Sequence, residues 1–107
     1  MLYHLFVYVP INDAETLKDA LFEAGAGHYE HYDNCSWQTQ GIGQFRPKEG
    51  SNPFIGKHNN LEYIEEIKIE MICSREKIKE VLETLKKKHP YEEPAYGVIE
   101  IKTLIDF

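Results

Sequence analysis

Three groups of residues combine side-chain types and spacings that chemistry can use. The first is His28 and His31, three apart, with Tyr29, Glu30, Tyr32 and Asp33 around them and Cys35 close behind. On one helical turn two imidazoles at that spacing face the same way, and a thiolate adds a third donor. Neutral imidazole and thiolate suit a divalent metal, Cu or Zn, so His28, His31 and Cys35 are the expected metal ligands. The plainer reading is a polar loop whose rings pack on Trp37. The second group is His89-Pro90-Tyr91-Glu92-Glu93-Pro94, which brings one imidazole, one phenol and two carboxylates together as an acid/base cluster. It also reads structurally: Pro90 stops a helix, His89 caps the last helical carbonyls or favours the negative end of the dipole, and Pro94 sets the entry to a strand. Tyr91 and Glu92 are the members expected to face a cleft between subunits. The third is Gly41-Ile42-Gly43 with Arg46, Lys48 and Lys57 following. Free backbone N–H groups and cationic side chains suit a small anionic ligand. It is not a Walker loop, because no GK[ST] is present. The plainer reading is a tight bend with Phe45, Pro53 and Phe54 pinning the loop to a sheet. The expected ligand-binding set is therefore Trp37, Arg46, Lys48, Tyr91 and Glu92. Cys35 beside His28 and His31 is the one nucleophile candidate.

The bulk properties narrow the field of partners. At 107 residues the chain fits one domain, 1–107, that buries a core without staples. A net charge of −6 argues against nucleic acid, which needs a basic face. Lys and Arg cluster at 75–88, but Glu76, Glu80 and Glu83 interleave with them, as on a solvated helix. Cys35 and Cys73 form no CxxC or CxxH pair and read as lone thiols of a cytoplasmic protein. The apolar N-terminus lacks a basic leader and a cleavage site, and is too short to span a bilayer, so no membrane partner is expected.

Periodicity supplies the elements that must position these groups. Leu2–Val9 is apolar on both faces, as in a central strand. Asn12 with Glu15 reads as a capping box for a helix whose Leu17, Ala20, Leu21 and Ala24 recur at helical spacing before Gly25. Cys35–Phe45 reads as a strand in which Gly41 and Gly43 mark a bulge or a close backbone approach. Gly41–Gly56 then holds four of the seven glycines and two of the five prolines, and reads as a long ordered loop at about 41–60. Leu61–Cys73 alternates, with Ile67, Ile69, Met71 and Cys73 facing one way and Glu66, Lys68 and Glu70 the other. Ser74 reads as the N-cap of a second helix with an Ile78, Val81, Leu82 and Leu85 stripe, ended by Pro90, and Ala95–Lys102 reads as the last strand. The order βαββαβ predicts an α+β ferredoxin-like domain: a four-stranded antiparallel sheet with both helices on one face. The other face carries apolar residues, with Phe6 and Tyr8 in the first strand and Tyr96 and Val98 in the last. An open apolar face predicts a homo-oligomer.

Two motifs are familiar. Glu23-Ala24-Gly25-Ala26-Gly27, Tyr32 to Trp37, Gly41-Ile42-Gly43-Gln44-Phe45-Arg46-Pro47, Gly50 and Asn52-Pro53-Phe54-Ile55-Gly56 resemble the inserted middle domain of the Nif-three-like dinuclear-metal proteins. His89-Pro90-Tyr91-Glu92-Glu93-Pro94-Ala95-Tyr96 matches that insert and also resembles the HPYE-x-P motif of the CutA divalent-ion-tolerance family. The resemblance implies a PII/CutA-type fold. CutA proteins are trimers linked to copper. In the dinuclear-metal proteins the insert decorates a hexamer and the metal ligands lie in flanking domains. The chain is thus expected to be a free-standing copy of the insert without that metal site. PII proteins also carry a long functional loop between their second and third strands.

The function expected from these readings is a non-enzymatic binding or regulatory module, an oligomer sensing a small ligand or metal ion at a subunit cleft. Two alternatives stay open: a metal-dependent hydrolase-type enzyme using His28, His31, Cys35 and Glu92, and a pure protein–protein interaction domain.

Overall fold

The alternation of Leu5, Val7 and Val9 puts three aliphatic side chains on one face of the first strand, and the fold is built around burying them. The computed structural model describes residues 1–107. It contains β1 (Leu2–Pro10), α1 (Ala14–Ala24), β2 (Trp37–Phe45), β3 (Glu62–Ser74), α2 (Ile78–Lys88) and β4 (Tyr96–Ile101). The sheet order is β2-β3-β1-β4, and every neighbouring pair is antiparallel. This is the ferredoxin-like arrangement expected from the βαββαβ order.

Register explains which residues are buried. Leu5, Val7 and Val9 pair with Met71, Ile69 and Ile67, so both strands turn the same parity toward the helices. Leu17 and Leu21 of α1 and Val81 and Leu85 of α2 close that layer, with Cys73 and Ala26 at its ends. Burial holds the Cys73 thiol up at about 11, so it packs as a small hydrophobe. Fully burying each aliphatic side chain of this layer stabilises the domain by about 1.5–3 kcal/mol relative to exposure.

The opposite face carries His4, Phe6 and Tyr8 of β1 beside Glu70, Lys68 and Glu66 of β3. The Lys68 ammonium lies 5.5 Å from the Phe6 ring centre and 5.9 Å from that of Tyr8. His4 Nε2 and Glu70 Oε1 are 2.9 Å apart. On β4 this face is made by Gly97, Ile99 and Ile101. Tyr96 pairs with Val7 and Val98 with Leu5, so both point to the helix side. Tyr96 therefore does not belong to the open face with Tyr8, because the strand begins one residue out of the parity that places it there.

Three local expectations are corrected. Asn12 does not cap α1: Ile11–Asp13 forms a 3-10 turn that carries the chain directly into the helix, with Asp13 at the N-cap. Ser74 does not cap α2, because the β1 ladder keeps it in β3, paired with Leu2, and a turn at 75–77 intervenes before Ile78. Gly41–Phe45 is not loop. Its backbone is paired with Glu62–Glu66 as the last part of β2, so the irregular segment between β2 and β3 is 46–61. Ladder hydrogen bonds outweigh the weak strand propensity of two glycines here. No helix is long and apolar enough to cross a membrane.

Candidate functional site

The end of β2, the middle of β3 and the two irregular segments 46–61 and 89–95 meet in one place. Glu66 starts the construction. It sits on the open face opposite Gly41, with Gly43 diagonal to it. A Cβ on Gly43 would overlap the Glu66 carboxylate, so the glycine is what lets that side chain lie flat across β2. The close backbone approach expected from the glycine spacing is therefore the approach of a carboxylate.

The segment after α2 is then fixed onto this face through His89. Its backbone N–H donates to the Leu85 carbonyl and ends the helix. Its ring does not cap the helix but leaves it: Nε2 lies 2.7 Å from the Tyr8 carbonyl oxygen of β1. Nδ1 accepts the Tyr91 N–H at 3.0 Å. These two partners assign the neutral tautomer with the proton on Nε2. Burial lowers the His89 pKa below its ordinary 6.5, while the Tyr8 carbonyl and the Glu66 and Asp13 carboxylates act in the opposite direction. A neutral ring gives the helix dipole nothing, which corrects the expectation that His89 serves the negative end of α2.

Tyr91 turns back over the sheet and donates its hydroxyl to Glu66 Oε2 at 2.9 Å. Burial first, and then the Glu66 hydrogen bond, push the phenol pKa up, so it remains a donor at all ordinary pH values. Its ring packs 6.0 Å from Phe45, 6.4 Å from Phe54 and 5.0 Å from His89. Glu92, next along, accepts the Asn52 N–H at 2.7 Å and ties the long loop down. The loop is also bonded within itself, with Asn59 N–H to the Pro47 carbonyl at 2.6 Å and His58 Nε2 to the Ser51 carbonyl at 2.8 Å.

Between these parts lies a cleft of about 260 Å³. Phe45, Phe54, Tyr91, Pro47, Pro53 and Ile55 make its apolar wall, and Glu66, Glu92 and Glu93 are its charged members. Of the residues expected to bind a ligand, Tyr91 and Glu92 are here. Trp37 is not: it is 70% exposed at the other end of β2, with its Nε1–H donating to Thr39. Arg46 and Lys48 follow β2 but do not line the cleft. The lining of this cleft offers three carboxylates and no cation.

His28, His31 and Cys35 lie in the connection between α1 and β2. Cys35 Sγ donates to the Asp33 carbonyl at 3.6 Å. No three His, Cys, Asp or Glu side chains of the chain are grouped to hold a metal ion. The eight residue steps from Trp37 to Phe45 put about 25 Å of strand between that connection and Glu92, so the four residues do not form one centre. Glu93, one of the two carboxylates of the acid/base cluster, also lines the cleft, whereas Glu66, Phe45 and Phe54 are lining residues that site reasoning missed. Glu66 reads in sequence as one more polar residue in an alternating strand. Only the neighbouring Gly41 and Gly43 hint that its side chain has somewhere to lie.

No protein-family model matches the sequence. The chain is 47% identical over 97 residues to the GTP cyclohydrolase 1 type 2 homolog of Halalkalibacterium halodurans, an alignment covering 91% of this chain and 26% of that protein. The chain thus spans about a quarter of the length of the curated relatives it matches. The crystal structure of a Bacillus cereus protein related to NIF3 superposes with a TM-score of 0.81 at 35% identity, covering 95% of this chain and 26% of that one. The periplasmic divalent cation tolerance protein CutA of Archaeoglobus fulgidus superposes with a TM-score of 0.69 at 20% identity, covering 96% of this chain and 86% of that one. The last likeness is one of fold. Together they show that the chain resembles a PII/CutA-like domain of NIF3 proteins.

Proposed function

We propose that this chain, which resembles the PII/CutA-like domain of NIF3 proteins, is a ligand-responsive regulatory module. Its ligand would occupy the cleft between the long loop and the segment 89–95. The carrying observation is the Asn52–Glu92 hydrogen bond, which joins the loop to the very segment that forms the opposite wall. A molecule entering the cleft touches both sides and so biases the position of the loop, which is what a sensing module requires. Phe54, 58% exposed on that loop, is the side chain whose environment an occupant changes most directly.

Self-association belongs to the same reading. Trp37 and Ile99 stand exposed on the helix-free face, an apolar surface suited to a second copy. The fold neighbours include CutA proteins, and pairing two copies through this face would cover Trp37 and Ile99. Glu66 lies on the same helix-free face, so a neighbouring copy seated there would help to enclose the cleft.

Native mass spectrometry of the purified full chain, paired with hydrogen exchange of the loop, tests this. The expected result is an assembly carrying a defined extra mass, with slow exchange at Asn52. Glu92→Ala should release the mass and speed exchange at Asn52 while the subunit number stays the same. A bare monomer whose loop exchanges at the same rate with and without Glu92 would overturn the reading.

A further inference from the structure

We infer that the occupant of this cleft is an organic cation, a primary ammonium or guanidinium group on a short apolar stem. The inference rests on the sensing reading above and adds the chemical class of the ligand.

The argument begins with Glu66. It is only 9% exposed. Buried carboxylates are ordinarily matched by a cation, because hydrogen bonds alone recover only part of the lost hydration. The ion pairs of the chain are His4–Glu70, Lys18–Glu15 and Lys68–Glu70, and none involves Glu66. One of its oxygens, Oε2, accepts from Tyr91. The other, Oε1, has no protein donor; it lies over Gly43 and keeps access to water. Glu92 and Glu93 add two further carboxylates to the same lining, and one oxygen of Glu92 is taken by Asn52. A positive group is what this lining lacks.

The walls decide which kind of cation. The ring centres of Phe45 and Phe54 lie 6.0 and 6.4 Å from that of Tyr91, and all three rings line the cleft. Such faces attract ammonium and guanidinium groups and accept an aliphatic stem. A metal ion would need three or more donors converging on one point, and no such group exists in the chain. A cavity of about 260 Å³ has room for several non-hydrogen atoms beyond the head group. Charge, wall chemistry and size therefore agree on one class.

The test is an amide NMR titration of the ¹⁵N-labelled full chain with three probes of matched stem: butylammonium, butan-1-ol and butyrate. Butylammonium should shift the Phe45, Asn52 and Glu92 resonances and bind about tenfold more tightly than either partner probe, the ratio expected of one hydrogen bond to a charged group. Raising the salt concentration should weaken it. Glu66→Gln keeps an acceptor for Tyr91 and should cost about tenfold for butylammonium while leaving butan-1-ol unchanged. Glu93→Gln, on the rim, gives the same test with a smaller loss should Glu66→Gln fail to fold. Equal or tighter binding of butan-1-ol or butyrate at the same residues would overturn the cation class and leave the cleft reading standing. No shift of these residues with any probe would overturn both.

Discussion

Tyr91→Phe removes one oxygen from the centre of the proposed site, and its cost follows from the contact it breaks. The hydroxyl donates to a carboxylate at 2.9 Å, and that carboxylate belongs to a side chain with 9% exposure. A hydrogen bond to a charged group contributes about 1.5–3 kcal/mol, and the upper half of that range applies when the abandoned partner stays buried. The ring contacts with Phe45, Phe54 and His89 are untouched by the change, so apolar burial offsets little of the loss. The expected destabilisation is about 2.5 kcal/mol. With a urea slope of about 1–3 kcal/mol/M for a small domain, the unfolding midpoint should fall by about 1 M at unchanged slope. The same substitution on a Glu66→Gln background should cost less than half as much, since an amide is cheaper to leave unpaired than a carboxylate, and the coupling in the double-mutant cycle should exceed about 1 kcal/mol. A midpoint within about 0.2 M of the parent, or an equal cost on both backgrounds, would refute the assignment of Glu66 as a charged acceptor held by Tyr91.

Two further outcomes follow from the same network. His89 titrates below its ordinary 6.5 in the fold, so the unfolded chain takes up the proton first as pH falls. Stability should thus be level above about pH 6.5 and decline below it, because protonating Nδ1 abolishes its acceptance of the Tyr91 N–H. His89→Gln, which can donate to Tyr8 and accept from Tyr91 without titrating, should flatten that slope between pH 7.5 and 5.5 in thermal melts; an identical slope would assign the effect elsewhere. Gly43→Ala forces a methyl group into the space of the Glu66 carboxylate and should destabilise by about 1–3 kcal/mol as overpacking does, with loss of cleft binding. Gly41→Ala meets nothing within 4 Å and should be close to neutral, so equal urea midpoints for the two variants would contradict the placement of Glu66.

Much of the architecture was readable because it depends on period alone. The alternation through Ile67, Ile69, Met71 and Cys73 and the stripe of Val81 and Leu85 each identify one buried face, and those faces are the ones the fold buries. Element ends were read less well. Capping signals at Asn12 and Ser74 were plausible locally, but the 3-10 turn and the β1–β3 ladder set those boundaries. Tyr96 shows how fragile a face assignment is, since a shift of one residue in where β4 begins exchanges the two sides. Among the site residues, Tyr91 and Glu92 stood out by chemistry. Trp37, Arg46 and Lys48 stood out equally and lie outside the cleft, because nothing local to them reports which end of β2 the loop folds over.

Features governed by neighbours along the chain could be read from residue order: the βαββαβ succession, the core-facing parity of the strands, the stops at Gly25 and Pro90, and a glycine- and proline-rich stretch after β2 with aromatics to anchor it. That Glu66, Tyr91, Asn52 and Glu92 gather at one cleft emerges from the folded chain alone, because Glu66 and Tyr91 are 25 residues apart, Asn52 and Glu92 are 40 apart, and each pair meets through a hydrogen bond that leaves no periodic trace. The tertiary structure also set the charge of that cleft. Arg46 and Lys48 promised a positive lining, but the loop turns carboxylates and aromatic rings toward the cleft, and charge acts through distance in space rather than along the chain.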